Sequence, residues 1–97
     1  MPHLEDSFLE KLDAQLVTLL TEGELDANSR VPVVIRCEIA ALPSISASVE
    51  RLGGRIRHHL RLLGALAVWM PLARVADLVQ STPLINSVEL EQEFIVA

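Results

Sequence analysis

The sequence has few cysteine and aromatic residues, which stabilise many small domains or form their binding sites. It contains one cysteine, Cys37, and three aromatic residues among 97, with no tyrosine. A single cysteine excludes an internal disulfide and a cysteine-rich zinc site. The scarcity of aromatic side chains and the net charge of −5 argue against stacking of nucleic-acid bases and against binding of a phosphate backbone.

No segment of the sequence has the pattern of a leader peptide or of a long apolar run. Residues 3–6 read His-Leu-Glu-Asp, whereas a signal peptide has a basic start followed by an apolar stretch. The longest apolar run, residues 62–72, is shorter than the ~18 residues that a membrane-spanning helix needs. For a chain that is native from Met1, these absences predict a cytoplasmic protein without a membrane segment.

The negative charge is concentrated near the N-terminus. Residues 1–28 carry seven carboxylates and one lysine, whereas residues 29–97 carry seven arginines and six carboxylates. Because 51% of all residues are hydrophobic and 22% are charged, the chain is expected to fold. The charge asymmetry predicts two parts, an acidic helix with a linker over residues 1–28 and a nearly neutral domain over residues 29–97.

The acidic segment has the pattern of an amphipathic helix over residues 7–22. Ser7 and Glu10 have the spacing of a capping box, and Gly23 suits the end of a helix. Surface helices that bind lipid are usually basic, so this helix is expected to pack on its own domain, on a second copy or on another protein. A homodimer through the helix is one of these expectations. The apolar stripe consists of Leu4, Phe8, Leu12, Leu16, Leu19 and Leu20.

The remaining chain alternates between strand and helix patterns. Period-two apolar spacing predicts strands over residues 31–39, 55–63 and 86–91, and the apolar run 65–70 after the turn at Gly64 is predicted as a further strand. Helical spacing predicts helices over residues 45–52 and 71–80. The order is β-α-β-β-α-β after the N-terminal helix. It predicts an α+β ferredoxin-like sandwich, with a four-stranded antiparallel sheet, two helices on one face and the other face uncovered.

No combination of side chains in the sequence predicts catalysis. His58 and His59 are adjacent on a predicted strand, so they point to opposite faces, and we expect one half-buried and one solvated. Cys37 falls on an inward face, which is typical of a buried thiol. Gly53-Gly54 follows a helix, where the helix dipole disfavours an anion. We therefore expect a binding protein and not an enzyme, with no metal and no cofactor.

Three arginines, Arg55, Arg57 and Arg61, alternate along the second predicted strand and form a basic stripe on one face. The stripe is expected to be solvated, or to form ion pairs with Glu89, Glu91 or the acidic helix. Binding of a partner protein is the alternative, and the net charge disfavours nucleic acid.

The C-terminal tail, residues 92–97, ends in four apolar residues directly after an acidic strand. Free termini are usually polar or disordered, so this composition is unusual. One interpretation is that the tail folds back or packs in an oligomer. The other is that an extended apolar tail is presented to a partner by strand addition. The four residues are Phe94, Ile95, Val96 and Ala97.

With these features the chain resembles the propeptides of subtilisin-like proteases, a domain that also occurs as free-standing proteinase inhibitors. The resemblance covers residues 33–97, about two thirds of the chain. The acidic N-terminal helix, the short first βα connection and Trp69 depart from the family pattern. The resembling pieces are Val33-Val34-Ile35, Gly53-Gly54, Arg55-Ile56-Arg57, Ala65-Leu66-Ala67-Val68, and a closing strand with Pro83, Ile85, Val88, Glu89 and Glu91.

The resemblance implies an inhibitor or folding chaperone of a subtilisin-like serine protease. In the family, the uncovered sheet face packs on two helices of the protease, and the tail enters the active-site cleft like a product. Ala97 would then occupy the first specificity pocket, Val96 the second and Phe94 the fourth, with Ile95 pointing outward. Two acidic positions, Glu89 and Glu91, would lie near the N-termini of the enzyme's helices, and Arg57, Arg61 and Trp69 are the other candidate contacts of the sheet face.

A regulatory module of the amino-acid-sensing kind is the alternative function, because it shares the β-α-β-β-α-β order. Such modules usually bind their ligand at a glycine-containing loop after the first strand. The corresponding segment, residues 40–44, has no glycine. This alternative is therefore less favoured than the protease partner.

Overall fold

The structure is a computed structural model that describes residues 10–22, 26 and 28–91. Two short 3₁₀ turns, Ile39–Ala41 and Arg61–Leu63, lie between the regular elements. The regular elements in chain order are α1 (Ala14–Glu22), β1 (Arg30–Cys37), α2 (Leu42–Arg51), β2 (Arg55–Leu60), β3 (Ala65–Pro71), α3 (Leu72–Ser81) and β4 (Ile85–Leu90).

The four strands form one antiparallel sheet in the order β2-β3-β1-β4. Helix α2 connects β1 to β2, and α3 connects β3 to β4, so that each crossover places a helix on the sheet. This is the predicted ferredoxin-like α+β arrangement, with the predicted N-terminal helix added to it.

One face of the sheet packs against the helices. Alternate residues of β1 and β3 point to this face, because side chains in a strand alternate with a period of two. All three helices contribute to the same buried cluster, and the predicted stripe of α3 is buried as expected. The fully buried members include Leu16, Val33, Ile35, Ile45, Leu66, Val68, Val75, Leu78 and Val88.

Helix α1 begins later than predicted, and Asp13 caps it. The Oδ1 atom of Asp13 accepts the Leu16 N–H at 2.8 Å, which satisfies one of the free donors of the first turn. Residues 10–13 are not helical, since residues 11–13 pair with β4 instead. The predicted helix start is therefore wrong for residues 10–13. Ser7 of the predicted capping box lies outside the described residues.

Helix α1 packs on its own domain. Its apolar residues Leu16 and Leu19 are buried, and Leu12, just before the helix, joins the same cluster. This outcome is the first of the three packing alternatives predicted from the sequence. Dimerisation through the helix remains a prediction.

Three other boundaries differ from the sequence pattern: the end of β1, the start of α2 and the end of β2. Strand β1 ends at Cys37, and the chain then forms a 3₁₀ turn that leads into α2 at Leu42. Helix α2 therefore begins three residues before the predicted start at residue 45, and Pro43 lies in its first turn, where its missing N–H has no helical partner to lose. Strand β2 ends at Leu60 and not at residue 63, because residues 61–63 form a 3₁₀ turn.

No helix within the described residues is long and apolar enough to cross a membrane. The four apolar residues of the C-terminal tail, Phe94 to Ala97, lie outside the described residues.

Candidate functional site

The sheet face opposite the helices is the candidate site, and its centre is built from small side chains. The strand register pairs Pro32 with Trp69 and Val34 with Ala67. Ala67 is buried, whereas Val34 and Trp69 are half-buried. Since Val34 and Ala67 at the centre of the face are short side chains, a partner element could approach the backbone of β1 and β3 closely there. Trp69 marks one end of the face.

Trp69 lies at the centre of a charged cluster. The guanidinium carbon of Arg57 is 5.6 Å from the centroid of the Trp69 ring, within the range of a cation–π interaction. Arg57 also forms a hydrogen-bonded ion pair with the carboxylate of Glu91. The Nε atom of Arg57 is buried and has no acceptor among the described residues. The cluster therefore holds one unused donor of a charged group.

A second ion pair lies farther along the same face. The Nε atom of Arg36 is 3.4 Å from Oε1 of Glu89, and the two side chains are 48% and 45% exposed. Exposed pairs of this kind contribute between about 0 and 1 kcal/mol to stability. The Arg57 and Glu91 side chains are 26% and 30% exposed, so their pair is better shielded from water. The two pairs are expected to differ in strength.

Replacing Arg57 by methionine should lower the free energy of unfolding by about 1–2 kcal/mol, because the change leaves the half-buried Glu91 without its partner. Methionine keeps most of the apolar stem. Arg36→Met is the matched control, and its effect should be below about 0.5 kcal/mol. Denaturant unfolding of both variants measures the difference, and equal losses would contradict the ranking of the two pairs.

A β-bulge in β2 changes which side chains share this face. The register shifts between Ile56 and His58, so His58 lies opposite Ala67 and Leu60 opposite Ala65 on the open face. His59 lies opposite Leu66 on the helix side. The predicted alternation over residues 55–63, and the single stripe of three arginines, are therefore wrong.

The three arginines of the predicted stripe have separate surroundings. Arg57 pairs with Glu91, one of the ion pairs considered from the sequence. Arg55 lies opposite Trp69 and is exposed, and Arg61 lies in the 3₁₀ turn after the strand. Neither Arg55 nor Arg61 forms an ion pair with a described residue.

The surroundings of His58, His59 and Cys37 do not favour nucleophilic catalysis or metal binding. His58 and His59 are both exposed, so the expectation of one half-buried histidine is wrong. Cys37 is buried and free, and burial raises the pKa of its thiol. A raised pKa lowers the thiolate fraction at neutral pH, which makes the thiol a poor nucleophile. Within residues 10–22, 26 and 28–91, no cluster of metal-ligating side chains is found.

The sequence did not single out Arg36 or Asp13, and both matter here. Arg36 pairs with Glu89 across neighbouring strands, a contact that only the register of β1 and β4 reveals. The Oδ2 atom of Asp13 accepts the Leu90 N–H at 2.6 Å, while its Oδ1 caps α1. Asp13 thus links the N-terminal helix to the strand that carries Glu89.

Comparison with protein-family models, with curated proteins and with solved structures finds no match for this chain.

Proposed function

We propose that the protein binds a subtilisin-like serine protease, as an inhibitor or as a folding chaperone. The open sheet face would pack on surface helices of the enzyme, and the tail, residues 92–97, would enter the active-site cleft. The observation that carries the proposal is the open face of a ferredoxin-like sheet, whose strand β4 carries Glu89 and leads to the tail.

The shape of the face suits a helical partner. Val34 of β1 and Ala67 of β3 are short side chains that lie opposite each other on this face, and Trp69 and Arg36 are the longer side chains of the same two strands. A helix of the protease would lie over the low centre, between the Arg57–Glu91 pair and the Arg36–Glu89 pair.

The carboxylates of the face favour helix N-termini, which carry partial positive charge. Glu89 must leave Arg36 to make such a contact, and the exposed pair is weak enough for that exchange. Glu91 is held by Arg57 and is better shielded. Glu89 is therefore the carboxylate expected to engage the enzyme.

The tail would act as a product that remains bound. Its attachment to a folded sheet lowers the entropy that the tail loses on entering the cleft. The same contacts would stabilise the native protease over its unfolded state, which is the thermodynamic basis of a chaperone. In both roles the protein would have no catalytic groups of its own.

Inhibition of a purified subtilisin-like protease tests this proposal. The complete chain should inhibit competitively, and a chain that ends at residue 93 should bind at least about 30-fold more weakly, because it lacks the side chains that fill the pockets. Absence of inhibition by the complete chain would contradict the function. Equal inhibition by the shortened chain would contradict the tail mechanism.

A matched pair of charge variants tests the role of the face. Glu89→Gln should weaken inhibition about 2- to 5-fold, the effect of one carboxylate at a helix N-terminus. Glu50→Gln is the control, since Glu50 is exposed on α2, on the opposite side of the sheet. Equal inhibition constants for the two variants would rule out a contact through Glu89.

A further inference from the structure

The two edges of the sheet differ in whether their backbone groups are satisfied. At β4, the Val88 N–H donates to the Lys11 carbonyl at 2.8 Å, and the Asp13 N–H donates to the Val88 carbonyl at 3.1 Å. The Asp13 carboxylate accepts the Leu90 N–H. Residues 11–13 therefore block the β4 edge.

The β2 edge pairs with β3 only, within the described part of the chain. An edge strand directs alternate N–H and C=O groups away from its neighbour, so β2 offers unpaired donors and acceptors. The bulge interrupts the strand at Arg57, and the regular stretch beyond it is His58 to Leu60. This stretch is the available template for another strand.

An apolar groove lies beside this stretch, between β2 and the N-terminal turn of α2. It is formed by the 3₁₀ turn before α2, the first turns of the helix, and His59 and Arg61 at the end of β2. At the end of the strand, Leu62 and Leu63 are 95% and 69% exposed. A groove next to a free edge strand is the arrangement in which an added strand receives main-chain hydrogen bonds and a pocket for alternate side chains. The groove is lined by Ile39, Leu42, Pro43, Ser46, His59 and Arg61.

The charge of the edge indicates its partner. Residues 55–63 contain three arginines and two histidines and no carboxylate. Arg57 is neutralised by Glu91, whereas Arg55 and Arg61 are exposed and form no ion pair with a described residue. A segment that extends along β2 would lie beside both guanidinium groups, and an acidic segment complements them.

We infer that the β2 edge and the adjacent groove bind an extended acidic peptide segment of a partner protein by strand addition. The segment pairs with His58 to Leu60, places an apolar side chain in the groove against the exposed Ile39, and directs carboxylates toward Arg55 and Arg61. The edge backbone groups of β2 and the groove lie outside the open sheet face, so the inference does not depend on the proposed protease partner.

Protection from aggregation and pairing with a second copy are the alternatives to peptide binding at the β2 edge. Charged side chains and a bulge protect edge strands from aggregation, but protection alone requires neither an apolar groove nor exposed leucines. Pairing of β2 with β2 of a second copy would bring arginines and histidines of both strands together, which like-charge repulsion opposes. The acidic peptide is therefore the occupant that the charges favour.

The experiment is an NMR titration of the complete chain with the peptide acetyl-Glu-Val-Glu-Leu-Glu-Val-Glu-amide. Saturable shifts of the backbone amides of His58 to Leu60 are expected. A peptide with the same charges but N-methylated at alternate residues cannot donate the main-chain hydrogen bonds, and it should bind at least about 10-fold more weakly. Replacement of every glutamate by lysine should abolish binding.

A charge reversal on the rim of the groove provides the matched test in the protein. Arg61→Glu should weaken binding at least about 10-fold, because it reverses the charge beside the peptide. Arg74→Glu is the control, since Arg74 lies on α3 and contacts Asp77. The control should bind as the unchanged chain does.

Four results would overturn the inference. These are no binding of the acidic peptide, equal binding of its N-methylated form, shifts confined to the open sheet face, and hydrogen-exchange protection, in the free chain, of those amides of His58 to Leu60 that point away from β3. Protection in the free chain would mean that another segment of this chain, or a second copy, already occupies the edge. Sedimentation of the free chain would then distinguish these two occupants.

Discussion

Gly64→Ala is expected to lower the free energy of unfolding by about 3 kcal/mol or more, a large part of the stability of a domain this size. Gly64 has φ of +62° in the left-handed region, which costs other residues about 1–2 kcal/mol. A Cβ atom at this position would also collide with the backbone carbonyl oxygen of Cys37. The collision cannot relax easily, because the Cys37 N–H donates to the Gly64 carbonyl at 2.8 Å.

Gly53→Ala is the matched control for this substitution. Gly53 also has a positive φ, +87°, but an added Cβ would meet only the Pro71 Cγ at 3.7 Å. Gly53→Ala should therefore lower the free energy of unfolding only by the cost of the left-handed conformation, about 1 kcal/mol. Urea unfolding of both variants gives the comparison. Equal losses would show that the contact between Gly64 and Cys37 does not restrict the chain.

Leu16→Ala should lower the free energy of unfolding by about 2–5 kcal/mol, the range for a leucine truncated in a rigid core. Leu16 is fully buried and belongs to the cluster that includes Val88 of β4. Truncation would remove its packing and leave a cavity between α1 and the sheet. The measurement is the midpoint of denaturant unfolding with an unchanged slope.

Gln15→Ala is the control for Leu16→Ala. Gln15 is exposed on the same helix, so its replacement should change stability by less than about 0.5 kcal/mol. If Leu16→Ala were equally neutral, α1 would be an appendage that does not support the core. Binding of a partner would then be the explanation for the acidic residues of segment 1–28.

The element order was predictable because apolar periodicity is strong in this chain. In α3 the spacing of Leu72, Val75, Leu78 and Val79 specified the buried stripe, and all four residues are buried. Strand β1 is rich in β-branched residues, and β3 is a continuous apolar run bounded by Gly64 and Pro71. Burial of one face is the largest favourable term in folding, so its pattern is visible in the sequence.

Strand β2 shows where apolar periodicity fails as a guide. Five of the residues in 55–61 are arginine or histidine, so the apolar alternation rests on Ile56 and Leu60 alone and specifies only weakly which side faces the core. Register is weakly specified in such a strand, and the bulge at Arg57 shifts the following side chains to the other face. The predicted stripe therefore separates into Arg57 on the open face and Arg61 in the turn.

The blocked β4 edge could not be predicted either. Asp13 serves as a helix cap and as an acceptor for the Leu90 N–H, and the second role joins residues that are 77 positions apart. A local pattern indicated a helix over residues 7–22 and contained no signal for pairing with β4. Arg36 and Glu89 meet for the same reason, through the register of two strands distant in sequence.

The sequence by itself determined the α+β class, the order of strands and helices, and the apolar stripes, because periodicity and turn residues act locally. Only the tertiary structure decided which edge of the sheet is free and which charges are neutralised, because these depend on contacts between distant segments. The tertiary structure also decided where the few cysteine and aromatic side chains lie. The thiol of Cys37 is buried, and the Trp69 ring lies under the Arg57 guanidinium on the open face.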